Sequence, residues 1–173
     1  IQLAKAVSRR LNGAMYTLDD VRHSARVILR QGEQDEQVLD FTSFIGENLE
    51  EDLRQRDFTI NAMALDLDAL AELIDPLGGE ADLEARQIRL CGPDSLTTDP
   101  LRVLRGVRLI SSYNLRYESE LTVAMRVAIK RLGVVSGERI RDELFKCLAV
   151  PNFEVVAALL SEFGVFDELR LLT

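Results

Sequence analysis

Residues Asp52 to Ala64 read Asp-Leu-Arg-Gln-Arg-Asp-Phe-Thr-Ile-Asn-Ala-Met-Ala, placing Arg54, Arg56, Asp57 and Asn61 close together. Guanidinium groups present planar forks of donors that suit phosphate oxygens. An aspartate with an asparagine supplies the acceptors and donors that hold a ribose hydroxyl. Together these are the groups needed to grip a nucleoside triphosphate. Phe58, Ile60, Ala62 and Met63 flank the polar residues, as expected where a buried scaffold holds a site rigid. The plain alternative is a surface helix ending in a solvated Arg–Asp pair, the usual fate of a charge run.

A second set is Asp99 and Arg102, one helical turn apart. A carboxylate acceptor beside a guanidinium donor complements the edge of cytosine or adenine, where an amino donor adjoins a ring-nitrogen acceptor. Guanine and uracil invert that pattern, and a buried mismatch leaves polar groups unpaired. Asp99 followed by Pro100 is equally a standard helix start, with a side-chain cap and proline at the first position. Arg105, one turn on, can serve a phosphate, the template pair or a neighbouring helix. Glu138, Arg139, Asp142 and Glu143 suit exposed i,i+4 pairs on a surface helix. Arg108, Arg126, Lys130 and Arg131 extend the arginines into a basic face suited to nucleic-acid phosphates, with salt-sensitive contacts, or else a solvated helix surface.

These residues need elements to carry them. Leu3, Val7 and Leu11 recur at helical spacing up to Asn12-Gly13. Ala14–Leu18, Ala25–Leu29 and Gln37–Phe41 read as strands, with Gln31-Gly32-Glu33 as a turn between two of them. Asn48 is a candidate cap for a helix over 49–56. Residues 62–67 and 72–74 suggest a short strand pair, 75–79 a turn, then a short helix to Ala85 and a strand at 88–90. After Cys91-Gly92-Pro93 the pattern is helical throughout, over 100–112, 118–132, 138–148 and 153–163. The expectation is an α+β head over residues 1–92 and an all-α unit over 93–173.

Composition narrows the choices. The 173 residues are 47% hydrophobic and 29% charged, ordinary for a globular chain with a sizeable core. Net charge is −8, which argues against coating nucleic acid by overall charge. The charges are segregated, however: acids dominate from Glu47 to Glu84, bases from Arg102 to Lys146. Cys91 and Cys147 are far apart, and His23 is the single histidine, so a disulfide framework, a zinc site and a Ser-His-Asp triad are not expected. A reducing, cytoplasmic location is the default, with no membrane span or signal peptide expected.

The run Arg56-Asp-Phe-Thr-Ile-Asn-Ala-Met-Ala64 resembles the signature of the class II tRNA nucleotidyltransferase and poly(A) polymerase family. The resemblance continues through Ile74-Asp-Pro-Leu-Gly-Gly79, Asp82-Leu83, Ile88-Arg89, Asp99-Pro-Leu-Arg-Val-Leu-Arg105 and Gly137-Glu-Arg-Ile-Arg-Asp-Glu143, in the family's order. It implies a partial nucleotidyltransferase palm, an antiparallel or mixed sheet with helices, followed by a helical neck. It also implies transfer of a nucleoside monophosphate from ATP or CTP to an RNA 3′-hydroxyl, with release of pyrophosphate, and a tRNA acceptor end as the expected partner, met by the basic face of Arg108, Arg126, Lys130 and Arg131. By resemblance Arg56 contacts the triphosphate, Asp57 and Asn61 the ribose, and Asp99 with Arg102 the base, with Arg105 beside them. Glu138 and Arg139 brace the template helix.

The pattern also departs from the family. Its glycine-rich turn and Asp-x-Asp metal pair are expected just before Ile1 and are not in this chain, which reads as a piece of something longer. Neither Asp19-Asp20 nor Asp66-Leu67-Asp68 replaces them. Asp40 stands where the superfamily often carries a third carboxylate, and is a candidate catalytic magnesium ligand or else an exposed strand residue. Gln55 and Ile45 stand where arginines are common. The chain alone is therefore expected to be inactive. The alternative is a catalytically degenerate module that binds nucleotide or RNA. Loss of N-terminal strands is expected to expose a sheet edge, which invites pairing.

Overall fold

The structure is a computed structural model that describes residues 1–19, 23–31, 35–68 and 72–171. The chain divides into two compact units, Ile1–Leu49 and Glu50–Thr173.

In the first unit, α1 (Gln2–Arg10) is followed by three antiparallel strands, β1 (Ala14–Asp19), β2 (Ser24–Gln31) and β3 (Asp35–Phe41), in the order β1-β2-β3. Asn12 takes the left-handed conformation, φ 52°, that turns the chain out of the helix. Gly13 is required beside it, because a Cβ there would lie 2.6 Å from Leu29 Cδ2 and 2.9 Å from the Ile28 carbonyl. Register pairs Met15 with Val27 and Val27 with Leu39, and in the next row Tyr16 with Arg26 and Arg26 with Asp40. Side chains alternate across a strand. Ala25, Val27 and Leu29 are thus buried with Ala4 of α1, backed by Met15 and Phe41, while Arg26 and Asp40 stand on the other face. Asp20, Gly32 and Glu33, which carry two of the expected turns, lie outside the described residues.

The second unit opens with α2 (Leu49–Arg54), acidic in its first turn and ending on Arg54, as the helix dipole prefers. It stops two residues short of the expected Arg56. Gln55 N–H and Arg56 N–H bond to the carbonyls of Asp52 and Leu53, tightening the last turn to i→i+3. A 3-10 turn spans Thr59–Asn61, and β4 (Ala64–Asp66) pairs antiparallel with β5 (Glu72–Ile74). Asp75 then accepts N–H bonds from Gly79 (2.7 Å) and Glu80 (2.9 Å), seating the start of α3 (Gly79–Glu84). Burial alone would raise the Asp75 carboxyl, but these backbone donors hold it below its ordinary value.

The expected strand at 88–90 is corrected: this segment makes only isolated bridges, Phe58 to Leu90 and Gln87 to Arg116. Its backbone groups serve separate neighbours: Thr59 N–H donates to Arg89 O, Cys91 N–H to Asp57 O and Ile88 N–H to Arg116 O. A clasp around the 57–61 turn thus replaces a continuous ladder.

Helices follow: α4 (Ser95–Thr98), α5 (Arg102–Tyr113), α6 (Ser119–Ile129), α7 (Gly137–Leu148), α8 (Phe153–Glu162) and α9 (Val165–Leu171). α4 and α9 are too short for periodicity to reveal, and the remaining four fall within two residues of expectation at their starts. α5 is the central element, burying Val103, Leu104, Val107, Leu109 and Ile110 against Met125, Leu132, Val156 and Phe163. Gly106 lets the Phe58 ring reach this helix, because a Cβ there would lie 2.5 Å from Met125 Cε and 3.0 Å from Phe58 Cζ. The packing of Phe58 thereby fixes Asp57 against α5. The architecture is the expected α+β. No helix among the described residues is long and apolar enough to cross a membrane.

Candidate functional site

Asp57 is 4% exposed, and both of its oxygens are engaged. Oδ1 accepts from its neighbour's Phe58 N–H (2.8 Å) and from Asn61 Nδ2 (3.4 Å), while Oδ2 accepts from Arg105 Nε (2.7 Å). One buried carboxylate therefore ties the 3-10 turn to α5 and orients Asn61 and Arg105, which are both partly exposed. Among the described residues only Nε of Arg105 has a hydrogen-bond partner, and its terminal amino groups have none.

Arg56 reaches back one turn to Asp52, Nη2 to Oδ2 at 2.9 Å and Nε to Oδ2 at 3.2 Å, with Nη1 3.4 Å from the Asn61 carbonyl. Its side chain is 46% exposed, while that of Asp52 is 8% exposed. Asp52 was not singled out from the sequence as the partner of Arg56, although its i,i+4 spacing was there to be read.

Arg102 does not pair directly with Asp99. Nη1 donates to the carbonyls of Ser95 (2.8 Å) and Arg56 (3.1 Å) and lies 3.5 Å from Thr98 Oγ1, and Nη2 donates to the Gln55 carbonyl (2.9 Å). It closes the carbonyl ends of α2 and α4 at once. Burial pulls its guanidinium below the ordinary value against the pull of Asp57 and Asp99, without approaching deprotonation. Nε and one Nη2 hydrogen remain.

Asp99 uses both of its oxygens. Oδ1 accepts from Leu101 N–H at 3.2 Å, and Oδ2 from Arg139 Nη2 at 2.7 Å. The expected cap is corrected: residues 100–101 form a turn, which Asp99 seats, and the regular helix starts at Arg102 behind Leu101, with no side-chain cap. Arg139 sits in the first turn of α7, whose cap is Ser136: Arg139 N–H lies 3.5 Å from its Oγ. Four residues on, buried Glu143 accepts from Arg108 Nε (2.6 Å) and Lys146 Nζ (3.2 Å). Burial pushes Glu143 up, and the two cations together outweigh it and hold the carboxyl below its ordinary value. Two ion pairs from one face of α7 thus clamp α5. Glu138 is exposed, and Asp142 pairs with exposed Arg141 at 2.8 Å.

A further network holds the turn from below. Asp82, 6% exposed, accepts from Thr59 Oγ1 (2.5 Å) and Arg89 Nε (2.8 Å), and Arg89 Nη2 donates to the Leu77 carbonyl at 3.1 Å. Gly79 packs so closely that a Cβ there would sit 2.2 Å from the Thr59 carbonyl oxygen. Asp82, Arg89 and Gly79 stood in the motifs, but nothing local in the sequence reveals that they converge on Thr59.

The basic residues do not form one face with a common partner. Arg126 donates to the Glu162 carbonyl (2.7 Å), Arg131 to the Thr97 carbonyl (2.9 Å), and Lys130 is exposed. Asp40, in the first unit, is held bidentately by Arg26, Nε to Oδ1 at 2.7 Å and Nη2 to Oδ2 at 2.8 Å. That hydrogen bond keeps its carboxyl below the ordinary value. Among the described residues no group of three or more His, Cys, Asp or Glu side chains converges as metal ligands. The described residues therefore do not fit a magnesium ion by themselves. Burial pushes the thiol of Cys91 up to about 12 and that of Cys147 to about 11, so neither is a nucleophile at neutral pH.

Known proteins resemble this chain in sequence and fold. The family described as "Poly A polymerase head domain" matches residues 7–89, and that described as "Probable RNA and SrmB-binding site of polymerase A" matches residues 114–171. A CC-adding tRNA nucleotidyltransferase of Geobacter sulfurreducens is 39% identical over 150 residues, 87% of this chain and 34% of that protein. An A-adding tRNA nucleotidyltransferase of Deinococcus radiodurans is 35% identical over 169 residues, 95% of this chain and 37% of that protein. The chain thus spans little more than a third of these relatives. The Thermotoga maritima CCA-adding enzyme complexed with tRNA superimposes with a TM-score of 0.84 at 30% identity, covering 97% of this chain and 40% of that one. The motif order, the α+β architecture and these matches agree, and the chain belongs to the class II tRNA nucleotidyltransferase and poly(A) polymerase family.

Proposed function

We propose that this chain is the nucleotide-reading part of an RNA 3′-terminal nucleotidyltransferase acting on the tRNA acceptor end in the cytoplasm. The reaction joins a 3′-hydroxyl oxygen to the α-phosphorus of ATP or CTP, and the bond to pyrophosphate breaks. Such phosphoryl transfer depends mainly on positioning and on stabilising charge. A solved relative is described with ATP, others with CTP, and one with tRNA.

The observation that carries this reading is how α5 and its approach present Asp99, Arg102 and Arg105. Each is oriented through some of its atoms while others are left for a ligand. Asp99 keeps a lone pair on each oxygen, to accept from the amino group of cytosine or adenine. Arg102 has Nε and one Nη2 hydrogen to offer the ring nitrogen. Arg56 and Arg105 take triphosphate oxygens. Of the pair assigned to ribose, Asn61 makes the contact and buried Asp57 orients it. Arg139 positions Asp99 from α7. The division near residue 92 then separates a head that supplies Asn61 and Arg56 from a neck that reads the base and adds Arg105 to the phosphate contacts. Magnesium, which the family implies, supplies charge neutralisation when bound.

The test is incorporation by the full-length protein on a tRNA lacking its terminal nucleotides, with each triphosphate separately. Addition of C, A or both, and of neither G nor U, is expected. Binding of ATP or CTP without any incorporation would instead identify a degenerate binding module.

A further inference from the structure

A cavity of about 380 Å³ opens between the ends of α5 and α7 and the start of α8. Its polar lining is Arg108, Ser111, Ser112, Lys146 and Asn152. Arg108 is anchored through Nε to Glu143, which leaves both terminal amino groups. Lys146 gives one N–H to the same carboxylate, keeps two, and is 61% exposed. The Ser112 hydroxyl and the Asn152 amide make no hydrogen bond among the described residues. Ser111 donates to the Val107 carbonyl and can only accept unless it turns. Asn152 precedes the ten residues of α8, whose first-turn N–H groups favour an anion. The nearby carboxylates are Glu143, already in two ion pairs, and exposed Glu154. Arg108 and Lys146 against Glu143 leave one net positive charge at the lining, with exposed Glu154 a further, solvent-screened negative charge outside it.

We propose that this cavity binds a backbone phosphate of the RNA. The inference rests on the functional reading above and adds a subsite to it. A phosphodiester carries a single negative charge, which matches the cavity, whereas a triphosphate carries several. Arg102, Arg105, Arg108 and Ser112 follow one another on α5 at spacings of three, three and four, a single stripe. Arg108 therefore lies about 9 Å along the helix from Arg102, a distance a strand can bridge while its end lies at the base-reading residues. Lys146 and Asn152 also fall inside the segment 114–171 matched by the family described as RNA-binding.

The test measures anisotropy of a labelled acceptor-stem minihelix ending in CC with the full-length protein across a salt series, and ATP binding in parallel. Lys146→Gln keeps the Arg108–Glu143 pair, so the fold survives, which circular dichroism checks. Its Kd for the minihelix should rise about three- to tenfold, and its salt slope should fall by about one. Ser112→Asp should weaken RNA further, Lys146→Arg should restore it, and ATP affinity should not move. If wild type binds the minihelix and Lys146→Gln and Ser112→Asp match it in affinity and slope, the subsite is overturned and the functional reading stands. A loss of ATP binding in Lys146→Gln would assign the cavity to free nucleotide and overturn it as well. If wild type does not bind the minihelix, the functional reading itself fails, and the subsite with it.

Discussion

Arg26–Asp40 and Arg105–Asp57 are both Nε-to-carboxylate contacts of 2.7 Å, and they do different things. The arginines are equally exposed, at 41%, but Asp40 is 48% exposed and Asp57 only 5%. The Asp40 pair is bidentate, the better geometry, yet water competes for every atom of it. Asp57 makes a single contact with Arg105, but its other oxygen serves Phe58 N–H and Asn61, so one buried group sets the direction of three others. What the remaining lone pairs of the acid hold decides the role of a pair, and its length does not.

Removing the acids breaks this comparison most directly. Asp57→Ala leaves the buried Phe58 N–H without its side-chain acceptor and frees Asn61 and Arg105. It should cost about 2–4 kcal/mol in chemical denaturation. Asp40→Ala should leave the denaturation midpoint unchanged within error. Equal losses in both would show that burial does not separate them.

Gly79→Ala tests the clasp beneath the turn. The added Cβ meets the Thr59 backbone carbonyl, which has no side-chain rotamer to yield. A loss of about 1–3 kcal/mol is expected, with weakened nucleotide binding because Thr59 opens the turn that carries Asn61.

Glu143 extends the contrast to pH. Its folded carboxyl is held below its ordinary value of 4.5, so the stability it contributes is complete above that value and is lost as pH falls through the lower folded value. Glu143→Gln should therefore flatten the fall in stability below pH 4.5, measured by urea titration at stepped pH, and matching wild-type and Gln curves would contradict the assignment. The smallest effect concerns reactivity. Both thiols should resist iodoacetamide at pH 7.5 in the folded protein and react once it is unfolded.

What could be read in advance followed the range of the forces involved. Helices and strands with clear periodicity were legible, because a buried stripe imposes its spacing on the chain. The motif residues were legible as a set, by resemblance. Their division of labour was not. Nothing local says that Arg102 spends its donors on the carbonyls of Gln55 and Ser95, or that Asp57 is buried while Asn61 faces out, since those partners arrive through packing of Phe58 on Gly106. The strand expected at 88–90 failed for the same reason. Its β-prone residues are there, but two separate segments, the turn at 57–59 and Arg116, claim its hydrogen bonds.

The central claim is that Asp99, held by Arg139 and backed by Arg102, selects the base. Calorimetric titration of the protein and its Asp99→Ala variant with ATP, CTP, GTP and UTP in magnesium tests it most directly. The account predicts saturable binding of ATP, CTP or both, much weaker binding of GTP and UTP, and loss of that preference in Asp99→Ala. Equal binding of all four nucleotides by wild type, or an unchanged preference in Asp99→Ala, would contradict it.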